Sequence, residues 1–458
     1  MLHDASSSPP ATSNQPWWRE LSRYHWFVFV VAALGWLFDT MDQQLFVMAR
    51  TPAITELLKA SPTDPEVKNW AGYTTTIFMI GWATGGIIFG ILGDRIGRVK
   101  TMVLTILFYS VFTGLSAFAT SVYDFSIYRF LTGLGVGGEF AVGVALVAEV
   151  MPERARPHAL GMLQALSAVG NMMAALITLA MGELKTAGKI TSDWRGMFII
   201  GVLPAILSIF IMRRLKEPER WIQTKAGGDT GKKLGSYAEL FGNPRWRKNA
   251  LVGLLLASSG VIGLWAIGFF SSELVRSVFR STFERQGFTK DEIAGKLTTW
   301  VGINSLLFNG GAFFGIYAFS RITAHIGRKP AFAAAFLLAM VSTAFTFWFL
   351  KDFNHVFWMI PVMGFCQLSI FGGYAIYFPE LFPTRLRSTG TSFCYNVGRY
   401  IAAAGPGLLG WLAGDVFRNY GDEVTSWRYA GLTMCSVFLL GLIALPFAPE
   451  TKGKPLPE

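Results

Sequence analysis

The sequence predicts an all-α membrane protein with twelve transmembrane helices in two pseudo-symmetric six-helix bundles. Three observations carry this reading. The 458-residue chain is 52% hydrophobic and only 15% charged. Its apolar residues fall in runs of about 20, which at about 1.5 Å per helical residue match a hydrocarbon core about 30 Å thick. Finally, motifs of the first half return in the second: E-V-M-P-E-R-A-R at 149–156 reappears as E-L-F-P-T-R-L-R at 380–387, with four identities.

Residues 1–24 are polar and rich in Ser and Pro. They lack the basic start, apolar core and cleavage site of a secretory signal, and read as a disordered cytoplasmic tail. The first bundle is expected over 25–215, with spans at 26–48, 73–93, 101–120, 123–149, 158–183 and 196–212, divided by short clusters of Lys, Arg, Gly and Pro. A basic cytoplasmic linker occupies 216–248. The second bundle, 249–448, has spans at 250–274, 298–321, 330–350, 354–378, 388–413 and 428–447, and a cytoplasmic tail follows at 449–458.

An even number of spans puts both termini on one side. Loops on that side carry about 24 Lys and Arg against about 14 opposite, so the positive-inside rule makes the termini cytoplasmic and the chain a multi-pass protein of the cell membrane. The same asymmetry accounts for the net charge of +11 without nucleic acid as a partner. Cys366, Cys394 and Cys435 all fall inside spans, without metal-ligand spacing, and read as packing residues.

The repeat extends beyond one motif. Pro218 and Glu219 match Pro449 and Glu450, Gly97 and Arg98 match Gly327 and Arg328, and Trp194 and Arg195 match Trp427 and Arg428. Parallel repeats of six helices imply two bundles about an axis along the membrane normal, with the binding site in the cavity between them.

The stretch G-I-L-G-D-R-I-G-R at 90–98 resembles the signature loop between helices 2 and 3 of the major facilitator superfamily. R-F-L-T-G-L-G-V-G-G-E at 129–139, the P-E-R-A-R and P-T-R-L-R loops, E-P-E-R-W and P-E-T-K-G extend the similarity over nearly the whole chain, towards its metabolite and aromatic acid:proton symporters, organic ion transporters and sugar porters. In the signature, Gly90 permits close helix contact, Asp94 can accept bonds at a neighbouring helix start, and Arg95 and Arg98 hold the cytoplasmic face, forming a conformational latch. The second half has Ala324 and His325 where the first has Asp94 and Arg95, which puts a second latch of that kind in doubt. Gly133, Gly135 and Gly138 also fit a dinucleotide-binding pattern, but inside a span with no strand before them they indicate tight helix packing.

Ionisable groups within spans are costly enough to be functional candidates. Here they are Asp39, Asp42, Arg129, Glu139, Glu273 and Arg399. Asp39 and Asp42, three residues apart, are expected to share a helix face towards the cavity; either carries the coupling proton or pairs permanently with a buried arginine. The resemblance to aromatic acid symporters, which carry D-G-x-D in helix 1, supports proton coupling, although D-T-M-D has Thr40 in place of the glycine. Arg129 and Glu139, about three turns apart, form a conceivable relay, or Arg129 is the structural partner of Asp39. The resemblance ties the arginine at the Arg129 position to proton coupling. Asp42 falls on Glu273 at the repeat offset, which places a third acid in helix 7 or at its outer end.

Arg399 lies near mid-membrane with no acid in its own span, so its planar fork suits a substrate carboxylate, unless it bridges to Asp39, Asp42 or Glu273. Organic anion transporters in the resembled family have arginine at the matching place in N-V-G-R. Tyr395 and Asn396 beside it, Gln164, Ser167 and Asn171 on the fifth span, Gln367, Phe371 and Tyr374 on the tenth, Asn304 on the eighth, and Trp265 and Phe269 on the seventh complete the candidate site.

The expected function is secondary active transport by alternating access: proton-coupled symport of a small organic anion, a carboxylate such as an aromatic, sugar or hydroxy acid. A monomer in the lipid bilayer is expected, with the proton as coupling ion, no cofactor and no metal. A neutral-solute or sugar porter is the rival, and a transport-derived sensor a further one. An enzyme is not expected, since no zinc-protease or nucleophile-elbow motif occurs.

Overall fold

A computed structural model describes residues 16–61, 64–206, 214–226, 233–268 and 271–458. Among them there is no strand. In the first half, α1 spans Arg23–Leu58, α2 Pro65–Arg95, α3 Arg98–Ser116, α4 Val122–Val150, α5 Arg156–Thr186 and α6 Asp193–Ile200. In the second, α7 runs Pro244–Ile262, loosens into a π-helical turn at Gly263–Gly268 and resumes as Ser271–Arg285. α8 is Lys290–Ile326, α9 Arg328–Phe349 and α10 Phe353–Glu380. α11 is Arg387–Ala402, continued by Gly405–Trp411 and a π-turn at Leu412–Val416, and α12 is Glu423–Met434 with Val437–Ala444.

Ten of the described helices are long and apolar enough to cross a membrane; the sixth and eleventh predicted spans are the exceptions. Gly405 and Pro406 interrupt α11, and α6 passes at Gly201 into turns that lead to Pro204. Residues 207–213, the end of the sixth predicted span, lie outside the described part. The first span is longer than its apolar run: α1 continues through Pro52 to Leu58 and stops at Lys59 in the left-handed region, φ 53°. Large apolar side chains such as Phe118, Leu179, Phe314 and Val341 are more than half exposed, as a lipid-facing surface requires.

Glycines set the closest helix contacts, and they do so twice. A Cβ on Gly81 or Gly85 of α2 would collide with the carbonyls of Phe130 and Leu134 on α4, and one on Gly133 or Gly137 with those of Phe78 and Trp82 in return. In the second half Gly311 and Gly315 of α8 meet Pro361 and Phe365 of α10, and Gly364 meets Phe308. Gly135 lies on the Tyr109 backbone and Gly138 on Phe89 and Thr105, so the dinucleotide-like glycines are helix-packing residues.

A carboxylate from the end of each half caps that half's third helix. Glu217 accepts the backbone N–H groups of Arg98 (2.7 Å), Val99 (3.1 Å) and Lys100 (3.1 Å), beside Gly97 at φ 123°. Glu450 accepts those of Arg328 and Lys329, both at 3.0 Å, beside Gly327 at φ 97°. The structural counterpart of Glu450 is therefore Glu217, two residues before the Glu219 that aligns with it in sequence.

The predicted linker contains two short helices, Glu219–Ala226 and Tyr237–Gly242, and Trp221 donates its indole N–H to the Asp94 carbonyl at 2.7 Å. Within the predicted N-terminal tail, Trp17–Glu20 form a 3-10 turn whose Trp17 stacks on His158, 5.3 Å between ring centres. The three cysteines are buried and unpaired.

Candidate functional site

Asp39 and Asp42 on α1, Arg129 and Glu139 on α4 and Arg399 on α11 are all buried, none more than 2% exposed. The two aspartates do not share one environment, which corrects the expectation of a common cavity face. Three residues advance a helix by about 300°, and the remaining 60° divides them between two helix seams. Asp42 turns towards α3: Thr113 donates to its Oδ1 at 2.8 Å and Arg129 lies 3.9 Å from its Oδ2. Arg129 also donates to Ser116 Oγ (2.7 and 3.0 Å) and the Phe112 carbonyl (3.3 Å), and its guanidinium sits 4.5 Å from the Phe198 ring. Its partner is thus Asp42, not Asp39.

Asp39 lies within electrostatic reach of Glu139, Asp42 and Arg399. Gln43 donates to its Oδ2 at 3.2 Å, and its Oδ1 has no hydrogen-bond partner among the described residues. Glu139 packs on Gly35, one turn before Asp39, and accepts from Thr105 at 2.8 Å, leaving Oε1 without a partner. Asp39 and Glu139, from different helices, are therefore two acids within electrostatic reach of one another. The conceived relay between Arg129 and Glu139 is not formed: each is engaged locally, about 15 Å apart along α4.

Arg399 makes no ion pair among the described residues. Its Nη1 donates to the Tyr395 carbonyl (2.5 Å) and Asn396 Oδ1 (3.0 Å), and its Nε has no acceptor among the described residues. The guanidinium is sandwiched between rings, 4.0 Å from Trp82 and 4.3 Å from Tyr395. Tyr395 in turn stacks on Phe140 at 3.9 Å, which lies 4.8 Å from Trp36, while Trp82 meets Trp265 edge-on at 5.8 Å. Arg399 is thereby flanked by aromatics of α2 and α11, with Phe140 of α4 and then Trp36 of α1 behind Tyr395, and Trp265 of α7 behind Trp82. The indole nitrogens of Trp36 and Trp82 are buried without acceptors among the described residues, so unsatisfied donors and acceptors converge where the halves meet.

At the end of the bundle that carries both termini, Asp94 joins the halves. It accepts the N–H groups of Ser388 (3.1 Å) and Thr389 (2.8 Å) at the start of α11, and the Thr389 hydroxyl at 2.6 Å. Arg98 holds Asp94 at 2.7 Å and Glu149 at 2.8 Å, and Arg387 reaches Glu149 from the second half at 2.7 Å. Gly90 lies against Ser392 and Ser388. Arg95 stands apart from this cluster and donates to the Leu234 carbonyl in the linker at 3.3 Å. In the second half Arg328 still grips Glu380 at 2.8 Å, but Ala324 offers no acceptor that could reach across.

Residues 28–308 match the profile of the Major Facilitator Superfamily, and residues 252–452 that of the family described as sugar (and other) transporter. The chain belongs to the Major Facilitator Superfamily. It is 30% identical to a putative metabolite transport protein of Haemophilus influenzae over 95% of this chain and 99% of that one. A cis,cis-muconate transport protein of Acinetobacter baylyi is 28% identical over 84% and 86% of the two chains. Among solved structures, a proton:xylose symporter bound to 6-bromo-6-deoxy-D-glucose has the same fold, with a TM-score of 0.72 and 18% identity over 94% of this chain and 98% of that one. This facilitator is a transporter and not an enzyme.

The remaining candidates in the facilitator divide by what already holds them. Tyr374 donates its hydroxyl to the Leu256 carbonyl against Gly260, and Asn396 donates to the Gly137 carbonyl (3.1 Å) and Ser392 (3.0 Å), so both tie helices together. Gln367 donates to Thr343 at 2.6 Å within the second half. Asn304 donates to Ser271 at 3.2 Å, joining α8 to α7. Asn171 donates to Asn309 at 2.9 Å and bridges the halves at mid-depth. Gln164 is 2% exposed and its Oε1 has no partner. Ser167 receives the Thr40 hydroxyl at its carbonyl, while Phe371 packs beside Tyr374 and Tyr395. Phe269 and the side chain of Glu273 lie outside the described residues.

Thr40 stands where the resembled motif has glycine, and the close approach is provided by the facing helix instead: Gly170 of α5 abuts the Leu37 carbonyl and Thr40 Oγ1. Trp36, Trp82 and Phe140 were not legible as site residues, because a chain with 15% aromatics offers many such positions. Their one signal is that Trp36 and Phe140 lie close in sequence to Asp39 and Glu139.

Proposed function

We propose that this facilitator is a proton-coupled symporter of a small organic anion. The observation that carries the reading is Arg399: a buried guanidinium without a carboxylate partner among the described residues, flanked by Trp82 and Tyr395 and within electrostatic reach of Asp39. A cation enclosed by aromatic faces suits a carboxylate attached to a flat or apolar body. The muconate-transporting relative supports an anionic substrate.

Asp39 and Glu139 are the proton carriers in this reading, and Asp42 with Arg129 is a structural pair. The charge asymmetry of the loops makes the terminus-bearing end cytoplasmic, so closure there by Asp94 corresponds to a cavity that loads from outside. A proton on Asp39 or Glu139 and an anion on Arg399 each neutralise one buried charge, so fewer uncompensated charges move when the halves rock. The protein acts as a monomer in the cell membrane. In proteoliposomes, Asp39→Asn is expected to abolish accumulation driven by a pH gradient while sparing counterflow; loss of both places Asp39 in a structural role.

A neutral-solute porter is the second reading, favoured by the sugar-transporter profile over the second half. Binding of one ligand as its acid and as its amide separates the two. The symporter of anions prefers the acid by at least about tenfold, and Arg399→Gln removes that preference, given the cost of leaving a buried charge unpaired. Equal binding of both forms to the natural chain rejects the anion reading.

A further inference from the structure

A second site lies far from Arg399. At the terminus-bearing end a cavity of about 650 Å³ opens between the halves. The first half contributes Trp17, Arg154 and His158, and the second contributes Arg321, His325 and Lys452. Two cations on its wall are already matched: Arg154 by Glu20 at 2.5 Å and Arg328 by Glu380 at 2.8 Å. Two are not. The Arg321 guanidinium donates to the Tyr317 hydroxyl at 2.7 and 3.1 Å, and the Lys452 ammonium to the His325 carbonyl at 2.5 Å, and neither forms an ion pair among the described residues.

Nearly buried polar groups point the same way. Trp17 and His158 are each 8% exposed and stacked on one another, yet Trp17 Nε1 and His158 Nδ1 have no hydrogen-bond partner among the described residues. An indole nitrogen can only donate, so it lacks an acceptor. Glu153 is the one carboxylate on the wall among the described residues, and it is exposed. The cavity is therefore rich in donors and positive charge and poor in acceptors, which is the composition of a phosphate site. Trp18 and Trp26, both more than a third exposed and packed on Trp17, form an aromatic group of the kind that sits at headgroup level.

We propose that this cavity binds a phosphate-bearing anion, either a phospholipid headgroup or a soluble phosphate, which bridges the two halves. Opening this end would carry Trp17 and His158 away from Arg321 and Lys452. An anion held by both sets therefore binds the closed arrangement better and shifts the population towards it. The inference is independent of what Arg399 binds.

The test uses the purified full chain in an uncharged detergent, titrated separately with inorganic phosphate, a short-chain phosphatidylglycerol and the matching diacylglycerol, with the midpoint of thermal unfolding as readout. Phosphatidylglycerol is expected to raise the midpoint saturably, and Arg321→Gln/Lys452→Gln to weaken its apparent affinity by about tenfold or more. A matching response to inorganic phosphate assigns the site to soluble anions, and a response to the lipid alone assigns it to headgroups; either upholds the site. The proposal is overturned if neither anion shifts the natural chain, if diacylglycerol acts as strongly as phosphatidylglycerol, or if the double variant responds undiminished. Should that variant fail to fold, Ala324→Asp places a carboxylate on the same wall with every cation kept; it is expected to suppress the response, and an undiminished response again overturns the proposal.

Discussion

Asp39 and Asp42 show how far two identical side chains can diverge within one turn of helix. Asp42 neutralises Arg129, whose other contacts are a hydroxyl, a carbonyl and aromatic faces. Removing it strands a buried guanidinium, for which a cost of about 3 kcal/mol is typical. Asp42→Ala is therefore expected to lower the unfolding midpoint markedly. Asp39 sits instead beside Glu139 with no cation in direct contact among the described residues, so Asp39→Asn removes repulsion and is expected to leave the midpoint unchanged or raised. Thermal unfolding of both purified variants checks this, and a larger drop for Asp39→Asn would reverse the assignment of structural and functional acid.

At the scale of elements, the same two devices are used once in each half. The glycine contacts of α2 with α4 recur between α8 and α10, and in both the missing Cβ is replaced by a neighbour's backbone carbonyl. Gly85→Val and Gly315→Val are each expected to cost about 1–3 kcal/mol or more, measured as loss of the monodisperse folded species, whereas Gly302→Ala and Gly310→Ala, which meet nothing within 4 Å, are expected to be tolerated.

The second device is the carboxylate cap. Partial burial pushes the Glu450 carboxyl up, but the backbone N–H groups of Arg328, Lys329, Lys452 and Thr451 overrule it and hold the group below its usual value of 4.5. With the folded value depressed, its stabilisation is complete above the unfolded value and is lost as pH falls through the folded one. The midpoint difference between the natural chain and Glu450→Gln is therefore expected to be constant near neutrality and to shrink once the pH drops below 4.5. A difference that grows with acidity would contradict the cap.

For the molecule as a whole, closure is asymmetric. Hydrogen bonds between the halves among the described residues cluster at the terminus-bearing end, through Asp94, Arg98 and Arg387, or at mid-depth, through Asn171 with Asn309 and Thr84 with Tyr400. Asp94 alone accepts three donors from the start of α11 while paired with Arg98, so its charge works at a helix N-terminus, where anions are favoured. Asp94→Asn is expected to shift the population towards opening at this end. Spin labels at Glu153 and Ile326, on opposite halves, should then report longer distances than in the natural chain, and unchanged distances would place closure elsewhere.

The sequence by itself determined the number of apolar runs, the all-α class, the internal repeat and the short set of buried charges, because hydropathy over about 20 residues and the cost of charge in lipid are local properties of the chain. It also marked Gly133, Gly135 and Gly138 as helix-packing glycines without saying what they touch. Which aspartate meets Arg129, which aromatics enclose Arg399, and that Glu217 rather than Glu219 mirrors Glu450 were decided only in the tertiary structure. Those outcomes depend on the rotation of one helix against another, where about 60° moves a side chain from one seam to the next, and no single segment records that angle.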